Sequence, residues 1–417
     1  MIVIPLFALL VSENRRAHTL AGFCRLVAVA IVLQLAIAGL FVLAPQSKAF
    51  FDVLVAAIAA LQAATAEGMK FLFGYLAGGD PPFTVKDPGK GFVLALQALP
   101  LVLIMSVLSA LFYHWGILQK VVGFFAWCLK RTMGVSGPVG TSAAANIFVG
   151  MVEAPLFIKP YIQRMSRGEL FALMTTGMAT VAGTLMALYA AFLERSIPGA
   201  AGHILIASVM SAPAAIAISR IMVPWDTGDA GETGADTSVA MARASSSSTM
   251  DAIARGTTDG IRLLVFICAM LVVMIALVAL ANMVLGAITE PFGVRLSVER
   301  LAGWLMAPLA FVIGIPWSEA VVAGELFGVK TVLNELLAYI KLAGTDPQAL
   351  SPRSRLIMLY AMCGFANFGS LGIMTGGLIA MAPDRQPDIL SLGLKSILSG
   401  LLATAMTGAI IGLITVA

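Results

Sequence analysis

The sequence predicts an all-α polytopic membrane protein with about eight transmembrane helices, two re-entrant hairpins in an inverted repeat, and interfacial helices. Three observations lead to this fold class. The chain has 417 residues, of which 59% are hydrophobic and only 12% charged, whereas soluble domains carry about 25% charged residues. Several apolar runs approach the roughly 20 residues that cross a bilayer as a helix. Two parts of the chain also resemble each other.

The apolar runs give the elements in order. A short run at residues 1–11 opens the chain, and because it lacks a basic n-region and a small-residue cleavage site we expect it to remain as a first helix. A helical pattern at 49–72 suits an interfacial helix, and a run at 356–381 is interrupted by glycine and polar residues. The full-length runs are 26–45, 92–112, 170–193, 203–223, 261–288 and 390–417.

A segment rich in small and apolar residues, AAANIFVGMVEAPLFIKP at 143–160, carries the polar residues Asn146 and Glu153. Basic residues stand on both sides of it, at 130–131 and at 159–167. Since basic loops favour the cytoplasm, both ends of this segment belong on the same side. The pattern favours a re-entrant hairpin, which membranes tolerate only where protein or a polar cavity surrounds its irregular backbone. The alternative is one full span with two short loops.

An internal repeat extends the hairpin prediction. EAPLFIK at 153–159 is followed by GMATVAG at 177–183, and ELLAYIK at 335–341 is followed by GFANFGS at 364–370. The second hairpin is predicted at 301–342, entering from outside, which makes the two units an inverted repeat of the kind found in secondary transporters. In this alignment Thr180 falls opposite Asn367, and both are predicted at broken turns of helices. Arg353 and Arg355 would then lie outside, against the usual tendency of basic residues.

Glu153 and Glu335 occupy matching positions of the repeat. A charge at the bilayer centre costs about 2.5–3.5 kcal/mol on insertion scales. A structural explanation is that each carboxylate is protonated or paired, for example with Lys330. The repeated placement favours a substrate or ion site instead. The dispersed cysteines and histidines predict neither a disulfide framework nor a metal cluster, and the small net charge of +4 does not suggest nucleic-acid binding.

Several blocks of the sequence resemble the concentrative nucleoside transporter family, the ion-coupled nucleoside symporters. The blocks are NIFVG-x-x-EAPLFIKPY at 146–161, GMATVAGTLMALY at 177–189, LNELLAY at 333–339 and CGFANFGSLGIMTGGL at 363–378. The likeness covers nearly the whole chain. It implies a homotrimer in which each protomer has its own pathway, with a scaffold around a mobile transport unit.

The resemblance implies specific site residues. It assigns the ribose hydroxyls to Glu335, Asn367 and Ser370, and an aromatic contact to Phe365. The remaining substrate-binding positions that it implies are Met151, Val152, Glu153 and Leu185. The implied sodium ligands are the side chains of Asn146 and Thr180 and the backbone carbonyls of Val149 and Val181.

The sequence departs from the family pattern at the base-reading end of this site. Met151 and Val152 stand where relatives commonly have glutamine and threonine, and Val139 and Gly140 stand where relatives have glutamate followed by serine or threonine. A thioether and an isopropyl group cannot satisfy the polar edge of a nucleobase. Either base recognition is loose, or the preferred substrate is not an ordinary nucleoside.

The resemblance divides the chain into parts. Residues 1–130 hold N-terminal helices, the interfacial helix and scaffold, and 131–193 the first hairpin and broken helix. Residues 194–300 hold scaffold helices with a flexible cytoplasmic loop at 224–260. The second hairpin and broken helix occupy 301–383, and a C-terminal scaffold helix occupies 384–417.

The expected function is secondary active import of nucleosides across a bacterial inner membrane, coupled to sodium, by alternating access. Proton coupling and a non-standard nucleoside-like substrate are the alternatives within this architecture. An intramembrane enzyme, or a receptor or channel on a transporter fold, are alternatives of other classes. We expect no enzymatic activity and no cofactor besides the coupling ion, with membrane lipid as the surroundings.

Overall fold

A computed structural model of the chain describes residues 2–43, 47–84, 91–225, 246–293 and 296–415, and these are almost entirely helical. In chain order the helices are α1 (Val3–Leu10), α2 (Leu20–Ala38), α3 (Ser47–Phe73), α4 (Leu94–Gln97), α5 (Leu101–His114), α6 (Ile117–Met133), α7 (Gly137–Asn146), α8 (Glu153–Leu156), α9 (Lys159–Ile162), α10 (Arg167–Ala179), α11 (Gly183–Leu193), α12 (Ala200–Met222), α13 (Thr249–Thr289), α14 (Val298–Val312), α15 (Trp317–Val332), α16 (Glu335–Gly344), α17 (Pro352–Met362), α18 (Phe368–Met381) and α19 (Gln386–Ile414).

The membrane-spanning character of the fold follows from helix length and composition. Within the described ranges, 7 helices are long and apolar enough to cross a membrane, or up to 8 if the bent pair α14–α15 counts as one span. This confirms the predicted fold class of about eight transmembrane helices. Helix α3 meets the same length criterion, and its placement in the interface stays a prediction.

The centre of the molecule consists of helices with buried surfaces all round. Helices α10, α12, α17 and α19 pack against one another, and most of their residues are buried. Hydroxyl pairs join them, including Thr175 with Ser399 at 3.1 Å and Ser211 with Thr407 at 3.2 Å. By contrast, α13 exposes large apolar side chains along most of its length, and α3 exposes them at Val53 and at residues 71–73, as helices do when lipid or another apolar surface covers them.

The first hairpin consists of α7, a non-helical tip at residues 147–152, and the short helices α8 and α9. The tip contains Gly150, and the carboxylate of Glu153 occupies the space that a Cβ at this position would take. Ser166 and Glu169 then form a capping box at the start of α10, which satisfies backbone donors there. The chain therefore reverses where its sequence changes from alanine-rich to glycine-containing.

The second hairpin differs from its predicted extent of 301–342. Helix α14 is a separate element, bent by 119° from α15, because the chain turns at Gly314 with a φ of +103° and Pro316 immediately precedes α15. The reversal lies at residues 333–334, between α15 and α16. A 3.0 Å ion pair between Lys341 and Glu325 joins the two arms, as expected for antiparallel helices.

Both predicted helix breaks are present. Thr180 follows the last residue of α10 in an extended conformation, and Asn367 is the N-cap of α18. The two breaks touch at Gly364: a Cβ added there would lie 2.8 Å from the Met178 carbonyl oxygen and 2.9 Å from the Ala179 carbonyl carbon. Only glycine allows this approach, so the two broken helices cross where both are interrupted.

Arg353 and Arg355 bind backbone carbonyls at or near the ends of helices, while their location outside the membrane stays a prediction. Arg353 donates to the carbonyls of Gly314, Gly412 and Thr415. The buried Arg355 donates to three further carbonyls, those of Leu342, Thr345 and Leu350. Carbonyls in the last turn of a helix lack partners within the helix, and the guanidinium groups supply donors to two of them, Leu342 in α16 and Gly412 in α19.

Two further elements differ from expectation. Helix α6 was not predicted as a separate element, and it packs against α7. Helix α13 begins at Thr249, capped by Ser248, so the C-terminal part of the loop predicted at 224–260 is helical. Most of that predicted loop, residues 226–245, lies outside the described residues.

An ion-pair cluster joins the chain's beginning to its later helices. Glu13 accepts hydrogen bonds from Arg167 at 3.0 and 3.3 Å and from Lys395, and Arg167 also pairs with Asp388 at 3.1 Å. The hydrogen bond from Arg167 is the largest cause that holds the pKa of Glu13 below the ordinary glutamate value of 4.5.

This cluster predicts a pH dependence of stability. Because the folded pKa of Glu13 is depressed, its stabilising contribution is complete above the unfolded pKa and is lost as the pH falls through the folded pKa. We expect Glu13→Gln to lower the free energy of unfolding at pH 7 by about 1 kcal/mol or less, as for other partly exposed pairs. The difference from wild type in apparent melting temperature should shrink as the pH falls below the ordinary glutamate pKa of 4.5 and vanish once the pH is below the depressed folded pKa. A difference that persists unchanged at low pH would contradict this assignment.

Candidate functional site

A cavity of about 150 Å³ lies between the two hairpin tips and the two helix breaks. Its polar wall comes from hairpins and broken helices, and the opposite wall comes from one face of α13. All eight side chains predicted to bind substrate line this cavity: Met151, Val152, Glu153, Leu185, Glu335, Phe365, Asn367 and Ser370. Residues far apart in sequence therefore converge as the repeat predicts.

Glu335 is the central group of the polar wall. It is only 5% exposed, and Tyr189 donates to its Oε1 at 2.6 Å while the Asn367 amide donates to its Oε2 at 2.9 Å. It is also the first residue of α16, where the partial positive charge of a helix N-terminus stabilises a carboxylate. A carboxylate has about four lone-pair sites, so each oxygen retains capacity for one further donor.

Asn367 is held in a single orientation by its place in the chain. As N-cap of α18 its Oδ1 accepts the backbone N–H of Ser370 at 2.7 Å. The amide nitrogen consequently faces Glu335, and the orientation follows from the hydrogen bonds that each atom can make. The break in the helix thus both frees the backbone and aims the amide at the carboxylate.

Glu153 differs from Glu335 in its surroundings. Its side chain is exposed and reaches the cavity, and no salt bridge to it is present in the described part of the chain. Its carboxylate lies over Gly150 at the hairpin tip. The two glutamates of the repeat therefore have different environments, one exposed and one enclosed by donors.

The apolar pair at the first hairpin tip packs between helices of both halves. A Cβ added to Gly177 in α10 would lie 3.1 Å from the Cβ of Met151, and one added to Gly377 in α18 would lie 3.1 Å from a Cγ of Val152. Both side chains also reach the cavity. They give this end of the cavity an apolar surface.

A second group of predicted residues lies beside the first hairpin tip. Asn146 and Thr180 are each 1% exposed. The amide nitrogen of Asn146 donates to the Ser142 carbonyl at 3.0 Å, while its Oδ1 is buried without a partner among the described residues. Unpartnered buried oxygens are rare and costly, and this one lies near Gly177 at the end of α10.

The four predicted sodium ligands are thus near one helix break. Val149 belongs to the hairpin tip, and Thr180 and Val181 belong to the break between α10 and α11. No backbone amide of the described residues donates to the carbonyls of Val149 or Val181. Neutral oxygens of this kind suit a hard monovalent cation, and a half-helix C-terminus adds partial negative charge.

Several residues that line the cavity were not predicted from the sequence. Tyr189 lies four residues after Leu185 on α11, so helical spacing places it on the same face, and that spacing was the available signal. Leu263, Phe266, Ile267 and Met270 line the cavity from α13; their spacing marks one helix face, but nothing in the sequence indicates what that face meets.

Comparison with known proteins decides the family. The chain matches family models described as the Na+ dependent nucleoside transporter C-terminus over residues 203–412 and N-terminus over 1–76, and a nucleoside recognition model over 95–196. Nucleoside permease NupC of Helicobacter pylori is 36% identical over 99% of this chain and 96% of its own length. The chain belongs to the concentrative nucleoside transporter family.

Other members of this family agree in sequence and fold. Sodium/nucleoside cotransporter 1 of Rattus norvegicus is 31% identical over 84% of this chain and 54% of its own length. The solved inward-facing, substrate-bound structure of CNTnw superposes with a TM-score of 0.87 at 36% identity, covering 100% of this chain and 96% of that one. CNTnw variants have been solved in outward-facing and intermediate states, as alternating access requires. These relatives are transporters, which confirms the prediction that the chain is not an enzyme.

Proposed function

We propose that this concentrative nucleoside transporter is a sodium-coupled symporter that imports nucleosides across a bacterial inner membrane by alternating access. The observation that carries the proposal is the enclosed Glu335 carboxylate in the cavity, oriented by Tyr189 and Asn367. Residues 131–193 and 301–383 form the moving unit in this proposal. The exposed apolar faces of α3 and α13 support coverage by lipid and by partner copies in a homotrimer.

The ribose is the anchored part of the substrate. Glu335 has remaining acceptor capacity for two hydroxyl protons, and hydrogen bonds to a charged acceptor contribute about 1.5–3 kcal/mol each. Asn367 and Ser370 complete the polar end, and Phe365 offers an aromatic face, since all three line the same cavity. Two vicinal hydroxyl groups can each donate a hydrogen bond to the same carboxylate, one to each oxygen, which an apolar side chain could not accept.

The base meets an apolar surface in this proposal. Met151, Val152 and Leu185 line the cavity and provide no side-chain donor or acceptor of ordinary strength. Stacking and apolar contact therefore dominate at this end. We expect affinities for different bases to lie closer together than in a site that hydrogen-bonds the base, since a site built for such bonds rejects analogues strongly.

Sodium coupling rests on the unpartnered Oδ1 of Asn146. A sodium ion held by Asn146, Thr180 and the carbonyls of Val149 and Val181 would give this oxygen a partner. One positive charge moving through 100 mV contributes about 2.3 kcal/mol to accumulation. Proton coupling is the second candidate, because the exposed Glu153 carboxylate faces the cavity and is placed to exchange a proton.

The proposal is tested by uptake into proteoliposomes with a panel of uridine, cytidine, adenosine, guanosine, free bases and ribose. We expect saturable uptake of nucleosides, and not of free bases, that requires an inward sodium gradient. If uptake instead follows a pH gradient at constant sodium concentration, the coupling ion is the proton and not sodium. A folded protein that moves no nucleoside would refute the assigned substrate class.

The cation site gives a separate prediction. We expect Asn146→Ala to abolish the rise in apparent melting temperature that sodium produces in the wild type, because the variant lacks the oxygen that the ion would share. Ser142→Ala, one turn earlier on α7, keeps that oxygen and serves as the matched control. Equal sodium responses in wild type and Asn146→Ala would contradict the assigned ligands.

A further inference from the structure

The second half of the repeat contains a buried ammonium group, that of Lys330. Lys330, in the last turn of α15, is 0% exposed. Its ammonium donates to the carbonyl of Ala361 at 3.1 Å and to the hydroxyl of Thr404 at 3.0 Å. The substrate cavity does not include it, so its burial, costly for an ammonium group, needs another explanation.

The ammonium completes the hydrogen bonding at the end of α17. The last four carbonyls of a helix lack partners within it, and together they carry partial negative charge. In α17 each of the four accepts a hydrogen bond: Leu359 from Tyr339, Tyr360 from the Cys363 amide, Ala361 from Lys330 and Met362 from the Gly364 amide.

The corresponding end of α10 in the first half is not completed in this way. The backbone carbonyl of Thr176 accepts a hydrogen bond from the Thr180 hydroxyl at 2.9 Å. No described group donates to the carbonyls of Gly177, Met178 or Ala179. Asn146, the last residue of α7, lies beside this end with its Oδ1 unpartnered. Within the described ranges, no ammonium or guanidinium group donates to this end of α10, whereas Lys330 donates to the end of α17.

Asn146 and Lys330 have corresponding neighbours in the two halves of the repeat, and these neighbours follow in the same order along the chain. Each group stands at the end of the first arm of its hairpin, beside the C-terminus of the half-helix that follows. Each is also accompanied by a hydroxyl from the next long helix. Ser208 of α12 contacts the hairpin tip and break of the first half, and Thr404 of α19 contacts Lys330 in the second.

We propose that Lys330 is a tethered cation, whose ammonium occupies in the second half the position that the coupling cation occupies in the first. The proposal rests on the cation coupling proposed above. It follows that no second coupling cation binds at the end of α17, because the Lys330 ammonium already fills that position. It also follows that the break between α17 and α18 is stabilised in every state, whereas the break between α10 and α11 depends on the ion.

The test compares thermal unfolding of the purified full chain in sodium chloride and in choline chloride of equal ionic strength. Lys330→Met removes the charge at similar length, and Lys330→Asn reproduces the amide of the first half. Asn146→Lys is the reciprocal change. Lys341→Met, which removes the half-exposed lysine of the same hairpin, is the matched control.

We expect Lys330→Met to unfold at lower temperature than Lys341→Met in both salts. Lys330→Asn should unfold at the same low temperature as Lys330→Met in choline but at a higher temperature in sodium. The Hill coefficient of its sodium titration should rise from about one toward about two, since that coefficient is bounded by the number of sites. Asn146→Lys should be as stable in choline as the wild type is in sodium, without a further sodium response.

The proposal is overturned if Lys330→Met and Lys341→Met unfold alike, or if Asn146→Lys still requires sodium for its stability. If the Lys330 variants do not fold, Asn146→Lys alone decides. If the wild type does not respond to sodium, the coupling proposal fails, and the comparison of Lys330→Met with Lys341→Met in choline still decides whether the buried charge matters.

Discussion

Glu335→Gln is expected to weaken uridine binding by about 2–5 kcal/mol, which is roughly thirtyfold to several thousandfold. The change removes the charge but keeps the shape. Glutamine has a single amide oxygen, so only one of the two present donors, Tyr189 and Asn367, could still donate to it, and the other would face the NH2 group. The hydrogen bond that remains would be to a neutral acceptor, which is about half as strong. Tyr189→Phe, which removes one donor to Oε1, should give a smaller loss. Binding to purified protein by calorimetry measures both.

Glu325→Gln is the matched control for this prediction. Glu325 lies in the same hairpin and pairs with Lys341 at a half-exposed position, so its removal should change stability by about 1 kcal/mol at most and leave uridine affinity unchanged. Melting temperatures show whether each variant is folded. A folded Glu335→Gln protein with wild-type affinity would refute the role of the carboxylate in binding substrate.

Gly364→Ala is expected to destabilise the protein by about 1–3 kcal/mol or more, in the range of overpacked cores. The new methyl group would meet the Met178 carbonyl oxygen at 2.8 Å and the side chain of Thr404 at 2.9 Å. The backbone atoms cannot rotate away as a flexible side chain could. The two breaks must separate, so transport should fall together with the apparent melting temperature.

Gly372→Ala and Gly376→Ala provide matched controls in the adjoining helix α18. Neither added Cβ meets an atom within 4 Å. Alanine in a helix interior is more favourable than glycine by about 0.5–1 kcal/mol, so both variants should be as stable as wild type or slightly more stable. If Gly364→Ala behaves like these two, the close contact of the breaks is not required.

Periodicity and spacing predicted the broken helices and the first hairpin well, because those elements leave local signals. The basic residues on both sides of the first hairpin, the glycines in the interrupted apolar runs and a carboxylate in an apolar run can each be identified within a few residues. The convergence of Glu153, Glu335 and Asn367 on one cavity followed from the repeat, since equivalent segments of a repeat occupy equivalent places.

The features that the sequence did not predict depend on contacts between distant segments. The 119° bend inside the segment predicted as the second hairpin was not predicted, because an apolar run does not show where α14 ends and α15 begins. Tyr189 was missed because an apolar helix with one tyrosine is indistinguishable from core packing until its partner is known. The role of Arg353 and Arg355 required knowing which helix ends meet them.

The face of α13 that closes the cavity consists of Leu263, Phe266, Ile267 and Met270. These side chains provide no hydrogen-bonding group of ordinary strength, whereas every polar group of the cavity belongs to the hairpins or the broken helices. A nucleoside displaced along this face loses no directional bond to it at any point. In the proposed cycle the nucleoside can therefore slide along this face without breaking hydrogen bonds to it. The energy barrier to translocation then depends on the movement of the hairpins and not on release of the nucleoside from α13.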